Sequence, residues 1–311
     1  MHAVHLSAFR VLTKPRSRKS FKLGELKDDP NLKAYELVKA VLQSNEEKPL
    51  EDVDSKLIVS IPKGSLTFDD AKRIIYGYVL AGRYGENYTV RHKKLSSPSS
   101  KKVKHDEVAE YKRYIFMYLP DSLDTGVVAF HENARLNPRT PIKKLVESSF
   151  LAHKSQLEAR LRPLQYKDIP TSIKNSDVME IKAIGYKAAK DTADAMRLIG
   201  NRTTGEFIIK NHGSALGKVS DFLLTNKTKN NLIELIEKDS EQIKITANIN
   251  GKKKIYNLND VLAKGISIAL DETTLNIDPL TLEPDKNSLH DAIKDEINDS
   301  LLEIYGQGYS I

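Results

Sequence analysis

The 311-residue sequence contains no cysteine and no tryptophan. Without cysteine the chain can form no disulfide and offers no thiolate nucleophile or zinc ligand, a composition that suits a reducing compartment. The longest apolar stretch, "IIYGYVLAG" at 74–82, is about half the roughly 18 residues that a membrane-spanning helix requires. The N-terminal residues lack the basic, apolar and small-residue order of a signal peptide. We therefore expect a cytoplasmic protein.

Motifs that mark common catalytic and cofactor sites are missing as well. The sequence contains no P-loop, no GxGxxG after a strand, no HExxH and no GxSxG. Its eight histidines do not fall at metal-ligand spacing, and an isolated histidine such as His131 is typical of a surface or core position. We predict no catalytic residue, no metal site, no cofactor and no small-molecule substrate.

Helical and strand-like patterns are mixed along the chain. Residues 31–43 and 288–305 carry apolar side chains at helical steps, Ser288 is the expected cap of the second helix, and Thr140-Pro141 predicts the start of another. Strand-like runs lie before, between and after these helices, which predicts an α+β fold with mixed, largely antiparallel sheets, packed helices and two lobes. The predicted domains are a main α+β domain of residues 1–135 with 240–311 and an inserted, mobile second domain of residues 136–239.

Turn signals predict two hairpins. Gly85 lies between the strand-like residues 72–83 and 87–91, which indicates a hairpin turned at that glycine. Asn-Gly at 250–251 separates two β-rich runs, and this dipeptide favours the tight two-residue turn whose twist matches that of the flanking strands.

Charge is unevenly distributed. Residues 1–104 hold 21 Lys and Arg against 12 Asp and Glu, a net +9, and residues 105–270 hold 26 against 20, a net +6. Residues 271–311 hold 2 against 10, a net −8, so the chain as a whole carries +7. A basic front with an acidic tail predicts a surface that binds polyanions.

Two segments concentrate the positive charge. "RHKKLSSPSSKKVKH" at 91–105 contains six Lys or Arg residues around a Ser/Pro stretch, and "TKPRSRKSFK" at 13–22 contains five. The first is rich in Ser and Pro and gains nothing from burial, so we interpret it as a mobile arm. We interpret both as loops that contact phosphates without reading bases. The candidate nucleic-acid-binding residues are Lys14, Arg16, Arg18, Lys19, Lys22, Arg91, Lys93, Lys94, Lys101, Lys102 and Lys104.

Other interpretations of the basic residues remain open. Lys-rich loops also keep sheet edges soluble, in which case 91–105 is a solvated linker. Lys252, Lys253 and Lys254 crowd the predicted turn at 250–251 and form a third, weaker candidate for phosphate contact. A binding surface of this kind would also suit RNA or an acidic protein.

One stretch resembles the site of metal-dependent nucleases. "DVMEIK" supplies Asp177, Glu180 and Lys182, with Asp168 upstream, and such sites use carboxylates to hold the divalent ion and a lysine to support the attacking water. The same spacing also occurs in a half-exposed strand with a surface Glu-Lys pair. Strand alternation then predicts that Glu180 and Lys182 share a face with Val178.

Several stretches resemble, in sequence and in order, the RexA-like family of phage exclusion proteins. They are "AFRVLTKPRSRKSFKLGELKDD", "YIFMYLPDSLDTGVVAFHENARLNPRTPIKKL", "IPTSIKNSDVMEIKAIGYKAAKD" and "ITANINGKKKIYNLNDV", followed by an acidic C-terminal helix. The resemblance spans most of the chain. Two parts depart from it, because the family has no Glu or Lys where "DVMEIK" stands and residues 91–105 lie outside the match.

This resemblance implies a function as well as a fold. It implies a homodimer that binds double-stranded DNA without sequence preference, with a fold related to the RdgC proteins. It further implies a sensor or regulatory role in an abortive-infection system, with a membrane protein as the effector partner. The expectation is therefore a non-enzymatic DNA-binding protein, the alternatives being a metal-dependent nuclease and an interaction module that binds RNA or an acidic protein.

Overall fold

A computed structural model describes most of the chain. The chain divides into two compact units, an N-terminal unit of Ser7–Arg162 and a C-terminal unit of Pro163–Ile311 with Met1–Leu6. The described residues are 2–13, 20–27, 29–85, 88–91, 100–105, 107–133, 136–153, 157–163, 175–186, 205–211, 213–223, 242–249, 252–257, 267–270, 274–279 and 283–305.

The N-terminal unit is an antiparallel sheet packed against two helices. Its strands hydrogen-bond in the order β1-β9-β8-β5-β3-β2, with β4 paired to β5 and β10 to β1, and a separate pair is formed by β6 and β7. The elements are β1 (His2–Thr13), α1 (Ala34–Ser44), β2 (Leu50–Asp52), β3 (Leu57–Ser60), β4 (Leu66–Asp69), β5 (Ile74–Arg83), β6 (Tyr88–Arg91), β7 (Ser100–Val103), β8 (Ala109–Tyr118), β9 (Gly126–Asn133), α2 (Arg139–His153) and β10 (Leu157–Pro163).

The predicted hairpin between residues 72–83 and 87–91 is wrong. Strand β5 pairs with β8 over ten positions, from Ile74 opposite Tyr118 to Arg83 opposite Ala109, while β6 pairs with β7. Both predicted strands exist, but β8 offers a long apolar partner for β5, and burial along this pair outweighs the short-range turn signal at Gly85.

One side of the sheet carries the core, and α1 is held on it by a polar network around Tyr35. The Tyr35 hydroxyl donates to Asp70 at 2.7 Å, and the Arg73 guanidinium lies over its ring, 5.2 Å from the centroid. Arg73 in turn binds Glu36 of α1 at 2.8 Å and Asp121 at 3.1 Å. Burial and the Asp70 carboxylate raise the pKa of Tyr35, so the phenol stays neutral and serves as a donor.

Helix α2 begins at Arg139, two residues before the predicted first helical residue Pro141, because Asn137 and not Thr140 supplies the cap. The Asn137 side chain accepts the Arg139 amide at 2.9 Å. The middle of the helix is anchored to β2, since Lys144 binds the Asp52 carboxylate at 2.5 Å. Ser55 donates to the other oxygen of that carboxylate at 2.5 Å. Asp52 is only 4% exposed, so these two partners compensate the burial of its charge.

Replacing Asp52 by Asn is expected to lower the free energy of unfolding by about 1–3 kcal/mol at pH 7, because a charge-assisted contact is lost where the side chain is buried. The bonds from Lys144 and Ser55 lower the pKa of Asp52. The stabilisation is therefore complete above about pH 4, the ordinary carboxyl pKa, and is lost as the pH falls through the lower folded-state pKa.

Chemical denaturation of wild type and Asp52→Asn between pH 7 and pH 3 checks this prediction. The stability gap should be constant above about pH 4 and close below it. Asp54→Asn changes an exposed neighbour and is the matched control, with little expected effect. A gap that stays unchanged down to pH 3 would contradict the assigned role of the carboxylate.

In its described residues the C-terminal unit consists of antiparallel strands and one long helix. Its strands hydrogen-bond in the order β12-β11-β13-β14-β15-β1, and residues 3–5 of β1 pair with β15. Residues 249 and 252 pair across the β13–β14 hairpin, as the predicted turn requires, and positions 250–251 themselves lie outside the described residues. The elements are β11 (Asp177–Tyr186), β12 (Gly205–Lys210), α3 (Val219–Leu223), β13 (Gln242–Ile249), β14 (Lys252–Asn257), β15 (Ser267–Ala269) and α4 (Lys286–Tyr305).

Helix α4 starts earlier than predicted. Asp285 accepts the amides of Asn287 at 2.8 Å and Ser288 at 3.2 Å, so the cap is Asp285 and Ser288 lies inside the first turn. A side-chain hydrogen bond from Ser288, together with these two amide bonds, lowers the pKa of Asp285, which favours a charged carboxylate at a helix N-terminus. The predicted apolar stripe is confirmed, because its members are fully buried: Leu289, Ile293, Ile297 and Leu301.

The fold is thus mixed α+β and rich in strands, and the strands of both units are antiparallel. The boundaries between the two compact units fall after residues 6 and 162. The sequence predicts boundaries at 135 and 239, and that division into a main and an inserted mobile domain stays a prediction.

Candidate nucleic-acid interface

The basic segment 91–105 begins and ends in a two-stranded ribbon. Strands β6 and β7 pair antiparallel, with Thr89 opposite Lys102 and Arg91 opposite Ser100. The candidate residues Arg91, Lys101 and Lys102 therefore lie in strands, and backbone pairing fixes their register. The interpretation of the segment as a mobile arm stays a prediction. Lys93 and Lys94 lie outside the described residues.

The ribbon extends the β5–β8 pair. Arg83 faces Ala109 at the last paired position, and the Gly85 amide then donates to the His105 carbonyl at 2.8 Å, which carries the hydrogen bonding towards the ribbon. Tyr84 ties this base to the neighbouring strands, because its amide donates to the Lys56 carbonyl at 3.1 Å and its hydroxyl bonds to Glu51. The Glu51 carboxylate raises the pKa of Tyr84, so the phenol remains a donor at neutral pH.

Exposed cations surround the base of the ribbon. Lys102 and Lys104 are exposed, and so are Arg83 and Lys112 on the strands that support it. Among the described residues none of these four side chains forms an ion pair. Glu107 and Glu110 lie in the same stretch and reduce the net charge but do not cancel it.

Tyr111 is a neighbour that the sequence analysis missed. It lies on β8 opposite Ala81 and is 49% exposed. The guanidinium of Arg113, itself 1% exposed, lies 5.6 Å from its ring centroid and is held by the carbonyls of Leu136 and Asn133 at 3.2 and 3.1 Å. The available signal was an aromatic residue between two charged ones, Glu110 and Lys112, with a small residue opposite it on the partner strand. To use that signal one must already know the register of β5 and β8. Such a ring could stack on a base or a sugar.

The other predicted loop is attached to the opposite end of the same strands. Leu12 bridges to Ser20, which closes the loop after β1, and Lys22 is exposed directly after it. The next amides, of Leu23 and Gly24, donate to the carbonyls of residues 123 and 121, just beyond the end of β8 at Tyr118. The remaining candidates of this loop lie outside the described residues: Lys14, Arg16, Arg18 and Lys19.

The candidate cations that the structure describes in the N-terminal unit therefore do not form one patch. The Lys22 loop meets the Ile74–Tyr118 end of the β5–β8 pair and the ribbon leaves its Arg83–Ala109 end. Ten paired residues separate these ends by about 30 Å at the rise of an antiparallel strand. The third candidate, Lys252–Lys254, belongs to β14 of the C-terminal unit, where Lys254 pairs with Ala247 and Lys253 with Asn248.

The residues of the nuclease alternative form separate cross-strand ion pairs on β11. Glu180 binds Lys210 at 2.6 Å, Lys182 binds Glu206 at 2.6 Å, and Asp177 binds Lys218 at 2.7 Å. Asp168 lies outside the described residues. Within the described part of the chain no three His, Cys, Asp or Glu residues cluster as a metal site would require.

The predicted face of β11 is corrected at Val178. That side chain is buried, whereas Glu180 and Lys182 are half-buried. The register with β13 shifts between Val178 and Glu180, so a bulge at Met179 breaks the alternation and turns Val178 to the core side.

The comparisons with known proteins leave the chain without an assigned family. No protein-family model matches it, and no curated protein is significantly similar to it. None of the helices among the described residues has the length and apolar character needed to cross a membrane.

Gly82→Ala is expected to loosen the base of the ribbon. A Cβ at Gly82 would lie 2.4 Å from Val108 Cγ1 and 2.5 Å from the Ala109 carbonyl oxygen, so the strands must separate there. We expect a loss of about 1–3 kcal/mol in unfolding free energy and faster hydrogen exchange at the start of β8. Gly205→Ala is the matched control, because its Cβ would meet no atom within 4 Å. Equal exchange in both variants would contradict the close strand approach at Gly82.

Proposed function

We propose that this protein binds double-stranded DNA without sequence preference and without cleaving it. The observation that carries the proposal is the cationic ribbon, whose exposed Lys102 and Lys104 make no ion pair with any described residue. By contrast the lysines of the β11–β12 surface, Lys182 and Lys210, are paired with carboxylates. Ammonium groups that no described carboxylate neutralises can replace the counterions that condense on DNA.

The arrangement of the cations fits a duplex. The two ends of the β5–β8 pair lie about 30 Å apart, close to the roughly 34 Å of one turn of B-DNA. A duplex running along the strands would meet the Lys22 loop and the ribbon one turn apart, on the same side of its helix. Contacts of this kind go to phosphates and carry no base specificity.

The biological role proposed here rests on the resemblance to the RexA-like family. On that basis the protein is a cytoplasmic homodimer with an RdgC-like fold and serves as the sensor or regulator of a phage exclusion system. Its effector partner is then a membrane protein. A neighbouring gene that encodes a protein with several membrane spans would support this role.

The salt dependence of DNA binding tests the proposal. A fluorescent 20-base-pair duplex is titrated with wild type and with Lys102→Ala/Lys104→Ala across a series of salt concentrations, with Mg²⁺ present. Loss of two phosphate contacts should flatten the plot of log K against log salt by about 2, because each contact contributes roughly 0.9. The DNA should stay intact throughout.

A matched variant separates local contacts from total charge. Lys48→Ala/Lys63→Ala removes two exposed lysines outside both basic segments and should leave the slope within experimental error. Equal slopes for all three proteins would make the ribbon a solvated extension. Weak binding even at low salt would favour an interaction module, and tighter binding of RNA would move the ligand to RNA.

Duplex length gives an independent prediction. If the Lys22 loop and the ribbon grip one duplex a turn apart, affinity should drop steeply when the duplex is shortened from about 16 to about 8 base pairs. Lys22→Ala should weaken binding to the long duplex and have little effect on the short one. A gradual change with length, the same in both proteins, would contradict the two-ended grip.

The nuclease alternative predicts a different outcome of the same titration. Cleaved DNA, with cutting lost and binding kept in Glu180→Ala, would place the chemistry on β11. The ion pair of Glu180 with Lys210 at 2.6 Å must then open for a metal to bind.

A further inference from the structure

Strand β12 is an exposed edge of the C-terminal sheet. It pairs with β11 on one side, and no described strand pairs with its other side. Every residue of the strand except Ile209 is exposed, including Phe207 at 41% and Ile208 at 45%, two large apolar side chains that point to opposite faces. A strand at the edge of a sheet can hydrogen-bond through its outer side to another strand that aligns with it.

The two faces of β12 differ in chemistry. Phe207 and Ile209 lie opposite Ala183 and Ile181, which are fully buried, so one face continues the apolar layer of the sheet. On the other face Ile208 stands between two charged residues, Glu206 and Lys210. Their partners on β11 are Lys182 and Glu180, respectively, each at 2.6 Å.

The sequence of β12, GEFIIK, is complementary to itself. When two copies run antiparallel about a twofold axis at Ile208, Glu206 of each copy faces Lys210 of the other and Phe207 faces Ile209. Apolar residues then meet on one face and opposite charges on the other, which is the pattern that stabilises cross-strand pairs. An axis moved by one residue, to Phe207 or Ile209, brings no Glu206–Lys210 pair together.

We propose that β12 is a dimerisation edge, at which a second copy of this chain adds its own β12 in the register centred on Ile208. Charges of opposite sign then alternate across the four strands of the two copies. Glu180 on β11 and Lys210 on β12 of one copy are followed by Glu206 on β12 and Lys182 on β11 of the other. The proposal locates the homodimer of the proposed function on one strand, and it does not depend on DNA binding.

Charge reversal tests the register directly. In Glu206→Lys each copy has lysine at both positions, and in Lys210→Glu each has glutamate at both, so either homodimer meets two like-charged pairs. We expect the dissociation constant of each to rise at least about tenfold. An equimolar mixture of the two variants restores both opposite-charge pairs, and sedimentation equilibrium should return to the wild-type dimer constant.

Two further variants guard against a folding defect. Ile208→Lys leaves Glu206 and Lys210 in place and puts two ammonium groups at the axis, so it should be monomeric. Because Lys182 lies opposite position 208 within the same copy, an unchanged circular dichroism spectrum has to show that the variant still folds. Lys218→Glu loses a comparable ion pair, with Asp177 at 2.7 Å, away from β12 and should dimerise as wild type does.

Three outcomes would overturn the proposal. They are a monomeric wild type, a dimer that Ile208→Lys does not weaken, and a mixture of the charge-reversed variants that associates no better than each alone. The salt slope of DNA binding is measured on the same proteins. If a monomeric variant keeps the wild-type salt slope, DNA binding does not require the β12 dimer. Either proposal can then fail without the other.

Discussion

The ten-residue pairing of β5 with β8 is the constraint on which the N-terminal unit depends. It places the buried Ile75, Val79 and Ile115 against the helices. Strand β5 also requires glycine at position 77, because a Cβ there would lie 2.1 Å from the Ser65 carbonyl oxygen, just before β4. The same pairing carries the basic ribbon on one end and meets the Lys22 loop at the other. The distance between the two cationic regions is therefore set by the core and not by the loops.

Charge serves two purposes on these sheets, and local pairing distinguishes them. On β11 and β12, lysines and glutamates face one another across strands, which satisfies them within the chain and leaves a self-complementary pattern at the edge. At the ribbon, lysines stand opposite Thr89 and Val90 and so have no carboxylate at the facing position. Composition counts both kinds of lysine alike, and only the register separates a structural cation from one that can meet phosphate.

The positions of strands and helices were easier to predict from the sequence than the pairing of the strands. The strand expected at residues 72–83 and the last helix follow from the pattern of apolar residues, which reports which residues are buried. The pairing of β5 with β8 brings together segments 26 residues apart across the basic insert, and a short-range glycine signal at Gly85 competed with it. The caps at Asn137 and Asp285 precede the predicted Thr140 and Ser288, because several consecutive polar residues can each supply a capping oxygen.

The candidate site was predictable as chemistry but not as geometry. A run of lysines around Ser and Pro indicates phosphate contact whether the backbone forms a loop or a strand, so the ribbon residues could be named from the sequence. Tyr111 could not, since its exposure depends on Ala81 standing opposite it. Nor could the bulge at Met179, which lets Val178 reach the core although it shares strand parity with Glu180. The inserted residue Met179 thus determines which side chains of "DVMEIK" face solvent. Two of them, Glu180 and Lys182, are then bound in ion pairs by residues of β12.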